Sequence, residues 1–431
     1  MIKIDATQMS EGIDYGSFLA DYYAGMPVGS STYRGGTPSA AFGGLYYVSG
    51  PEVSFDYEGF DQMTLLEGED IAYDFITYGA AYGHGISGSI DEVVFGLATD
   101  ETTTDDGTAN GEIVGLDELL RVSGLDVTAE PGSGNGEDNA VYTLYSAVRY
   151  GANGEDVDYI DTLYAMFSSE AQHFLGTNQN DTYTGTEFDD VVKGFNGDDV
   201  LEGAGGDDKI YGARGSDILT GGEGDDLVSG DAGDDYLEGN AGNDSLYGQA
   251  GDDVARGGKG DDLVAGFQGD DILYGDAGND TVMGGGGEDV VNGGKGDDAL
   301  FGRHGDDVLF GNVGHDRLYG DAGNDTLYGG AGRDGLFGGQ GADVFAFERW
   351  TASTVDAADN IRDFETGIDI IDLSEVGDLG FVDDFTGAAG EIVMVERSDR
   401  TNVQVDMNGD GEADMLIVVH ATGLTESDFF L

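Results

Sequence analysis

From residue 176 to residue 346 an apolar side chain returns every ninth position, at Tyr183, Leu201, Val228, Val264, Leu318 and Phe345 among others, two residues after an Asp and seven after a Gly. The unit reads G-x-x-G-x-D-x-U-x, as in G-D-A-G-D-D-Y-L-E at 230–238. Nineteen units follow one another without insertion or deletion, and only the first two, with Gln179 and Phe188, lack the second Gly. One apolar residue between two others predicts a three-residue strand, and the six Gly- and Asp-rich residues before it predict a turn that tolerates positive φ. Two units then make one flattened coil whose eighth-position side chains meet as a thin aliphatic core. At roughly 4.8 Å per coil, about nine coils give a rod on the order of 45 Å long.

The same phase puts the sixth-position carboxylates in two stacked rows. They are Asp199, Asp208, Asp217, Asp226, Asp235, Asp244, Asp253, Asp262, Asp271, Asp280, Asp289, Asp298, Asp307, Asp316, Asp325, Asp334 and Asp343, preceded by Asp181 and Asp190 in the first two units. Without a cation such rows repel. Asp carboxylates with turn carbonyls are hard oxygen ligands, which suit Ca²⁺ better than a transition metal. A disordered acidic linker has no reason to hold an aliphatic residue in phase, although the metal-free chain is expected to be unfolded, because folding and metal binding are coupled. The repeat resembles the calcium-binding nonapeptide of RTX proteins, and that resemblance implies a parallel β-roll over 173–346, an all-β solenoid.

Residues 1–172 have no repeat and are long enough for one domain. Periodicity predicts a helix over 15–23, alternating strands around 43–48, 53–57, 71–76 and 86–95, and helices over 116–122 and 140–167 with a break near 151–154. The result is an α+β domain, an antiparallel sheet with helices. Beyond the repeats, residues 347–431 predict a β-rich cap.

The chain carries 87 acids against 17 bases and a formal charge of −70, which argues against nucleic acid and anionic membrane as partners. It has no Cys, so calcium takes the role disulfides would have. Met1-Ile2-Lys3-Ile4-Asp5 does not begin a Sec signal, and no apolar run is long enough for a membrane span. The segments F-A-F-E-R-W (345–350), D-N-I-R-D-F-E-T-G-I-D-I-I-D-L-S (359–374), F-T-G-A-A-G-E (385–391), V-D-M-N-G-D-G-E-A-D (405–414) and S-D-F-F-L (427–431) resemble the C-terminal domain of serralysin-type secreted proteins. The resemblance implies type I secretion through an ABC exporter and folding outside the cell, where calcium is abundant. D-M-N-G-D-G at 406–411 opens like an EF-hand loop, but its twelfth position is Ile417 where Glu is needed, and a hairpin turn is expected instead. The five His residues contain no H-E-x-x-H, which excludes a zinc protease of that type, and no nucleophile–base constellation suggests another enzyme. His304 and His315 fall at variable turn positions and read as exposed filler.

In the N-terminal domain, D-I-A-Y-D-F-I (70–76), H-G-I-S-G-S-I-D-E-V-V-F-G (84–96) and A-V-Y-T-L-Y-S-A-V (140–148) resemble the HasA-type secreted haemophores. That resemblance implies haem held by an axial Tyr, with uptake from haemoproteins and delivery to an outer-membrane haem receptor. Tyr73 matches the ligand and His84 its hydrogen-bonding partner, an arrangement that stabilises a phenolate on Fe³⁺. The intervening loop is longer than in the family, so Tyr78 and Tyr82 compete with Tyr73. No His precedes His84, and Tyr33 stands where the family's second axial ligand would be; Arg34 is placed to pair a propionate. The sequence therefore supports a secreted haemophore on a calcium-dependent roll. Its alternative is a calcium-dependent structural or adhesive extracellular protein without haem.

Ninth-position residues make an apolar stripe on one outer face, with Tyr211, Tyr247, Met283, Phe301, Tyr319 and Phe337, and a shorter one, with Tyr274, Phe310 and Tyr328, on the other. Either residues 347–431 fold back over the longer stripe, or the stripe is ordinary strand surface.

Overall fold

The computed structural model describes residues 171–431 and, ahead of them, the backbone of six strands. The helices expected over 15–23 and 140–167 lie outside the described residues, as do Tyr33, Arg34 and His84. No helix among the described residues is long and apolar enough to cross a membrane. The chain forms two compact units, Met1–Leu201 and Glu202–Leu431.

In the first unit, strands Thr37–Ala41, Leu45–Asp56, Gln62–Asp74, Gly85–Ala98 and Leu116–Ala129 pair in chain order as an antiparallel meander. The four predicted strand segments fall within or across these. The stretch 116–122, expected to be helical, is strand: Leu120, Arg121 and Val122 pair with Phe95, Val94 and Val93. Val122, Val127, Thr128 and Gly124 all weaken a helix interior, and the V-V-F run opposite offers a β-rich partner, so pairing overrides the local period. Ile2–Asp5 pairs antiparallel with Leu116–Ala129 on one edge and parallel with Gln172–Leu175 on the other, and Gln172–Leu175 in turn pairs parallel with Val191–Asn196. Phe174 stacks on Tyr183 at 4.3 Å beneath this edge, and the Tyr183 hydroxyl donates to Gln172 Oε1 at 2.7 Å.

In the second unit the repeats build a parallel β-solenoid with two units per coil. Lys209–Arg214 pairs with Leu227–Ala232 on one side, and Ile218–Glu223 with Tyr236–Ala241 on the other, each residue meeting the one eighteen further on. Every eighth-position side chain from Ile210 to Phe345 is fully buried. The strands are six residues long, not three: they take positions seven to nine of one unit and one to three of the next. The strand absorbs the extra residues because position two of the following unit turns left-handed, even at Ala213 (φ 84°) and Asn240 (φ 78°), which closes the coil without breaking the ladder. Only positions four to six remain as turn.

The second Gly is fixed by sterics. Gly233 sits at φ +133°, and a Cβ there would come 1.7 Å from the carbonyl oxygen of Gly215 in the coil before. Gly286 has no such φ, and the nearest atom to a Cβ is 3.8 Å away. Gly233→Ala should therefore cost about 1–3 kcal/mol in backbone strain alone, while Gly286→Ala should change stability by under about 1 kcal/mol. Thermal melts of the calcium-loaded variants test this, and equal melting temperatures for the two would refute it.

The C-terminal stretch does not lie along the ninth-position stripe. It continues both sheets past the last repeat: Asp359–Ile361 pairs parallel with Gly335–Gln340, and Ile370–Asp372 with Val344–Ala346. Met415–Val419 and Phe429–Phe430 then pair parallel with those two extensions, and an antiparallel sheet of Glu391–Glu396, Thr401–Asp406 and Met415–Val419 closes the end. Ile361, Ile371, Leu373, Val403, Val405, Met415, Ile417 and Val419 are buried beneath it. The D-M-N-G-D-G segment is the expected hairpin connection, with both Asp406 carboxylate oxygens accepting from its own turn, Gly409 N–H at 2.6 Å and Gly411 N–H at 2.8 Å. The stripe is strand surface whose half-buried rings cover one another: Phe301 stacks on Tyr319 at 5.0 Å and Tyr319 on Phe337 at 4.6 Å. On the other face Phe310 stacks on Tyr328 at 4.7 Å, and the Arg256 guanidinium lies 3.9 Å over the Tyr274 ring.

Candidate functional site

The sixth-position Asp residues, all seventeen from Asp199 to Asp343, are buried. In the second unit they form two ladders. Asp208 N–H donates to Asp226 Oδ1 and Asp226 N–H to Asp244 Oδ1 on one side, Asp217 N–H to Asp235 Oδ1 and Asp235 N–H to Asp253 Oδ1 on the other, all at 2.8 Å. The pattern repeats to Asp316–Asp334 and Asp325–Asp343. One carboxylate oxygen is thus spent on the backbone of the preceding coil. The other, Oδ2, has no partner within the protein in any of these residues from Asp226 to Asp343. A buried oxygen left so costs a few kcal/mol, and far more if charged. Fourteen in succession form a continuous row of oxygen donors suited to a cation.

The first Gly of each unit leaves room at that oxygen. A Cβ on Gly239 would fall 2.3 Å from Asp244 Oδ2 and 2.6 Å from the Gly257 carbonyl oxygen of the next coil, and one on Gly320 would meet Asp325 Oδ2 and the Gly338 carbonyl at 2.3 and 2.6 Å. The space a side chain would fill is lined by carboxylate and carbonyl oxygen. Among the described residues no three acidic or His side chains converge as a metal cluster, so a cation here draws the rest of its shell from backbone carbonyls. A shell of carboxylate and carbonyl oxygens fits Ca²⁺, which accepts six to eight such ligands in flexible geometry.

Burial pushes the row carboxyls up. Those of Asp226, Asp235, Asp253, Asp262, Asp289, Asp316 and Asp325 rise to about 7 and those of Asp244, Asp271, Asp280, Asp307 and Asp343 to about 6. The N–H each accepts opposes the rise, and neighbouring carboxylates mostly add to it. A cation bound at Oδ2 would reverse the balance.

A second pair of ladders runs outside the rows at position five. Asp225 N–H donates to Asp207 Oδ1 at 2.9 Å, Asn243 N–H to Asp225 Oδ1 at 2.7 Å, and Asp261 N–H to Asn243 Oδ1 at 2.8 Å, all exposed. Asn serves here as well as Asp, so this ladder needs no metal. His315 belongs to it rather than being filler, since its Nδ1 accepts the Arg333 N–H at 3.0 Å.

The rows do not end with the nonapeptides. Asp334 N–H donates to Asp359 Oδ1 at 2.8 Å and Asp343 N–H to Asp369 Oδ1 at 3.1 Å. The sequence reading missed both residues because they stand outside the nine-residue frame. The signal was the triplet of Asp, any residue and Ile, present as Asp359-Asn360-Ile361 and Asp369-Ile370-Ile371, which repeats the end of each unit. At the other end Asp181 and Asp190 differ from the later rows: their Oδ2 atoms accept the N–H groups of Thr177 and Thr186 in their own turns. These are the two units without the second Gly.

For the haem residues, Tyr73 lies on strand Gln62–Asp74, where it pairs with Val48 on one side and Ile86 on the other. Its neighbour Asp74 pairs with Gly85, the residue directly after His84.

Residues 75–431 match the family model described as Peptidase M10 serralysin C terminal. Serralysin G of Dickeya chrysanthemi is 38% identical over 90 residues, which are 20% of this chain; the match spans only 18% of that relative's length. Among solved structures, the AlgE6R3 subunit of the Azotobacter vinelandii mannuronan C5-epimerase aligns at 32% identity over 32% of this chain and 80% of that one, with a TM-score of 0.27. The apo haemophore HasA of Yersinia pestis aligns at 19% identity over 38% of this chain and 87% of that one, with a TM-score of 0.26.

Proposed function

The chain belongs to the Peptidase M10 serralysin C-terminal family, and we propose that it is a secreted protein folded by calcium, as that membership supports, and that its segment 1–172 takes up haem for iron acquisition. The observation that carries the calcium half is the run of buried Asp Oδ2 atoms without partners from Asp226 to Asp343. Calcium at these oxygens replaces repulsion by ligation and ties each coil to the next. The route out is type I secretion, which delivers an unfolded chain to a compartment where the ion is plentiful.

The haem half rests on the sequence block around Tyr73 and His84. What supports it is that Tyr73 lies on a described strand of the meander, paired with Ile86 of the strand that begins at Gly85. Tyr73 serves as the axial ligand, with His84 accepting from or donating to its phenol oxygen, Tyr33 as a second axial group and Arg34 on a propionate. A haem receptor and haemoproteins are the partners this activity requires.

Haemin added to the calcium-loaded full chain tests the reading. Tyr73→Phe should abolish the phenolate-to-iron charge-transfer band and weaken binding at least tenfold; His84→Ala should weaken it less, since it acts through Tyr73. Tyr33→Phe separates a six-coordinate from a five-coordinate site. A wild-type chain that leaves the haemin spectrum unchanged would end the haem reading and favour a calcium-dependent structural or adhesive role.

A further inference from the structure

The sheet that carries the longer ninth-position stripe runs on into the cap, and there its outer row changes from rings to cations. Leu336 pairs with Ile361, Ile361 with Val419 and Val419 with Thr401, all of them buried. Strand alternation turns the residue beside each of these outward, so Phe337, Arg362, His420 and Arg400 stand in one row, about 4.8 Å apart from strand to strand. The ladder itself reaches this row: Arg362 N–H donates to the Leu336 carbonyl at 2.9 Å and His420 N–H to the Ile361 carbonyl at 2.8 Å. Arg362 and Arg400 are exposed, and His420 between them is half-buried.

Like charges side by side across a sheet weaken it, yet the nearby acids are turned elsewhere. Asp363 accepts Gly338 N–H at Oδ1 and Gly339 N–H at Oδ2, at 3.0 and 3.1 Å, and Glu396 Oε1 accepts Gly423 N–H at 3.2 Å. Among the described residues ion pairs hold Arg256 and Arg303, and none holds Arg362 or Arg400. In a chain with 87 acids and 17 bases, two neighbouring guanidinium groups without a carboxylate are a local exception. Arg362 Nη1 lies 3.4 Å from His420 Nε2. A guanidinium has only donors, so the imidazole accepts through Nε2 and is neutral in this contact. Burial, then the Arg362 and Arg400 charges, hold it below the ordinary imidazole range, with Asp399 opposing.

We propose that Arg362 and Arg400, with His420 between them, form a binding site for a sulfate or phosphate group, free or carried as an ester. A planar guanidinium meets two oxygens of such a group at once. A carboxylate would be filled by one fork, whereas a tetrahedral oxyanion has oxygens for both forks and for the imidazole. Its charge would remove the repulsion along the row. An ester gains one more contact, because Phe337 stands next to Arg362 and offers its carbon side an apolar neighbour.

Sulfate is the probe, since it leaves calcium in solution where phosphate does not. The ring signals of the five His residues are followed by NMR in the calcium-loaded full chain, and His420→Gln identifies the His420 signal by its loss. Sodium sulfate should move that signal saturably and raise the His420 titration midpoint, because an anion beside the ring favours imidazolium. Sodium chloride of equal ionic strength should do neither. Arg362→Gln and Arg400→Gln should each weaken sulfate binding at least fivefold with the calcium midpoint unchanged, and the double variant should abolish it. Phenyl sulfate binding more tightly than sulfate upholds the site with an ester as its ligand; equal binding upholds it with the free ion. A His420 signal that moves no further in either sulfate than in chloride overturns the proposal, as does undiminished binding by the double variant. Should that variant misfold, the wild-type titration against chloride decides alone.

Discussion

In EGTA at pH 7.5 the solenoid should lose most of its β-structure, and millimolar Ca²⁺ should restore it in one cooperative transition. The energetic reason is on the rows. Their carboxyls are raised to about 6–7 in the fold against about 3.9 in an unfolded chain, so the metal-free fold is favoured by these groups fully below about pH 4. That contribution is lost as pH rises through 6–7, where each carboxyl must ionise in a buried setting. At pH 7.5 the unfolded chain, with its acids in water, wins. Calcium needs the ionised form and competes with the proton, so lowering the pH from 7.5 to 5.5 should raise the calcium midpoint severalfold. The same change should let some β-structure return in EGTA. Mg²⁺ should substitute poorly, because it demands octahedral geometry and keeps its water. Circular dichroism during calcium titrations at two pH values reads all of this. Equal β content at pH 7.5 with and without calcium, or a midpoint that falls with acid, would contradict it.

How much of this was legible in the residues depended on whether the information was periodic. The nine-residue phase places Leu219 in the core and Asp226 in a row without any tertiary knowledge, since each unit repeats the same local environment. Strand length was misjudged because the pattern marks burial, and positions one to three are Gly or polar; that the left-handed second position at Ala213 or Asn240 lets them join the ladder appears only when coils stack. Asp359 and Asp369 escaped because the spacing to the previous Asp is 25 and 26 residues instead of 18. Their role is set by a loop of different length reaching the same place. The stretch 116–122 was misread for another reason: L-D-E-L-L-R-V satisfies a helical period over two turns, and only its partner strand decides against it. Tyr73 could be placed on a strand from alternation, but no spacing rule selects it over Tyr78 or Tyr82, because chemistry at a single haem site leaves no period.

Removing residues 347–431 should damage folding far more than removing the aromatic stripe. The cap covers the open end of a solenoid whose last side chains, Leu336 and Phe345, are fully buried, and Phe345 meets Phe364 of the cap at 6.0 Å. Truncation at Ala346 exposes these apolar groups, at roughly 1.5–3 kcal/mol each. It also frees the last backbone N–H groups, those of Asp334 and Asp343 that donate to Asp359 and Asp369. A solenoid without a terminal cap loses the interface from which its coils propagate. The truncated chain should therefore need at least tenfold more calcium to fold and should bind ANS after folding. Replacing Phe301, Tyr319 and Phe337 together by Ser removes two ring stacks on a half-buried face, worth about 0.5–1.5 kcal/mol each beyond their area. It leaves the end of the core covered, so its calcium midpoint should move little and its ANS signal should stay low. If the triple variant reproduced the truncation, the stripe would have to be the surface the C-terminal stretch protects, and the capping role argued from strand pairing would fail. The two variants differ in which part of the solenoid they uncover, and calcium-dependent folding should respond to its end rather than to its side.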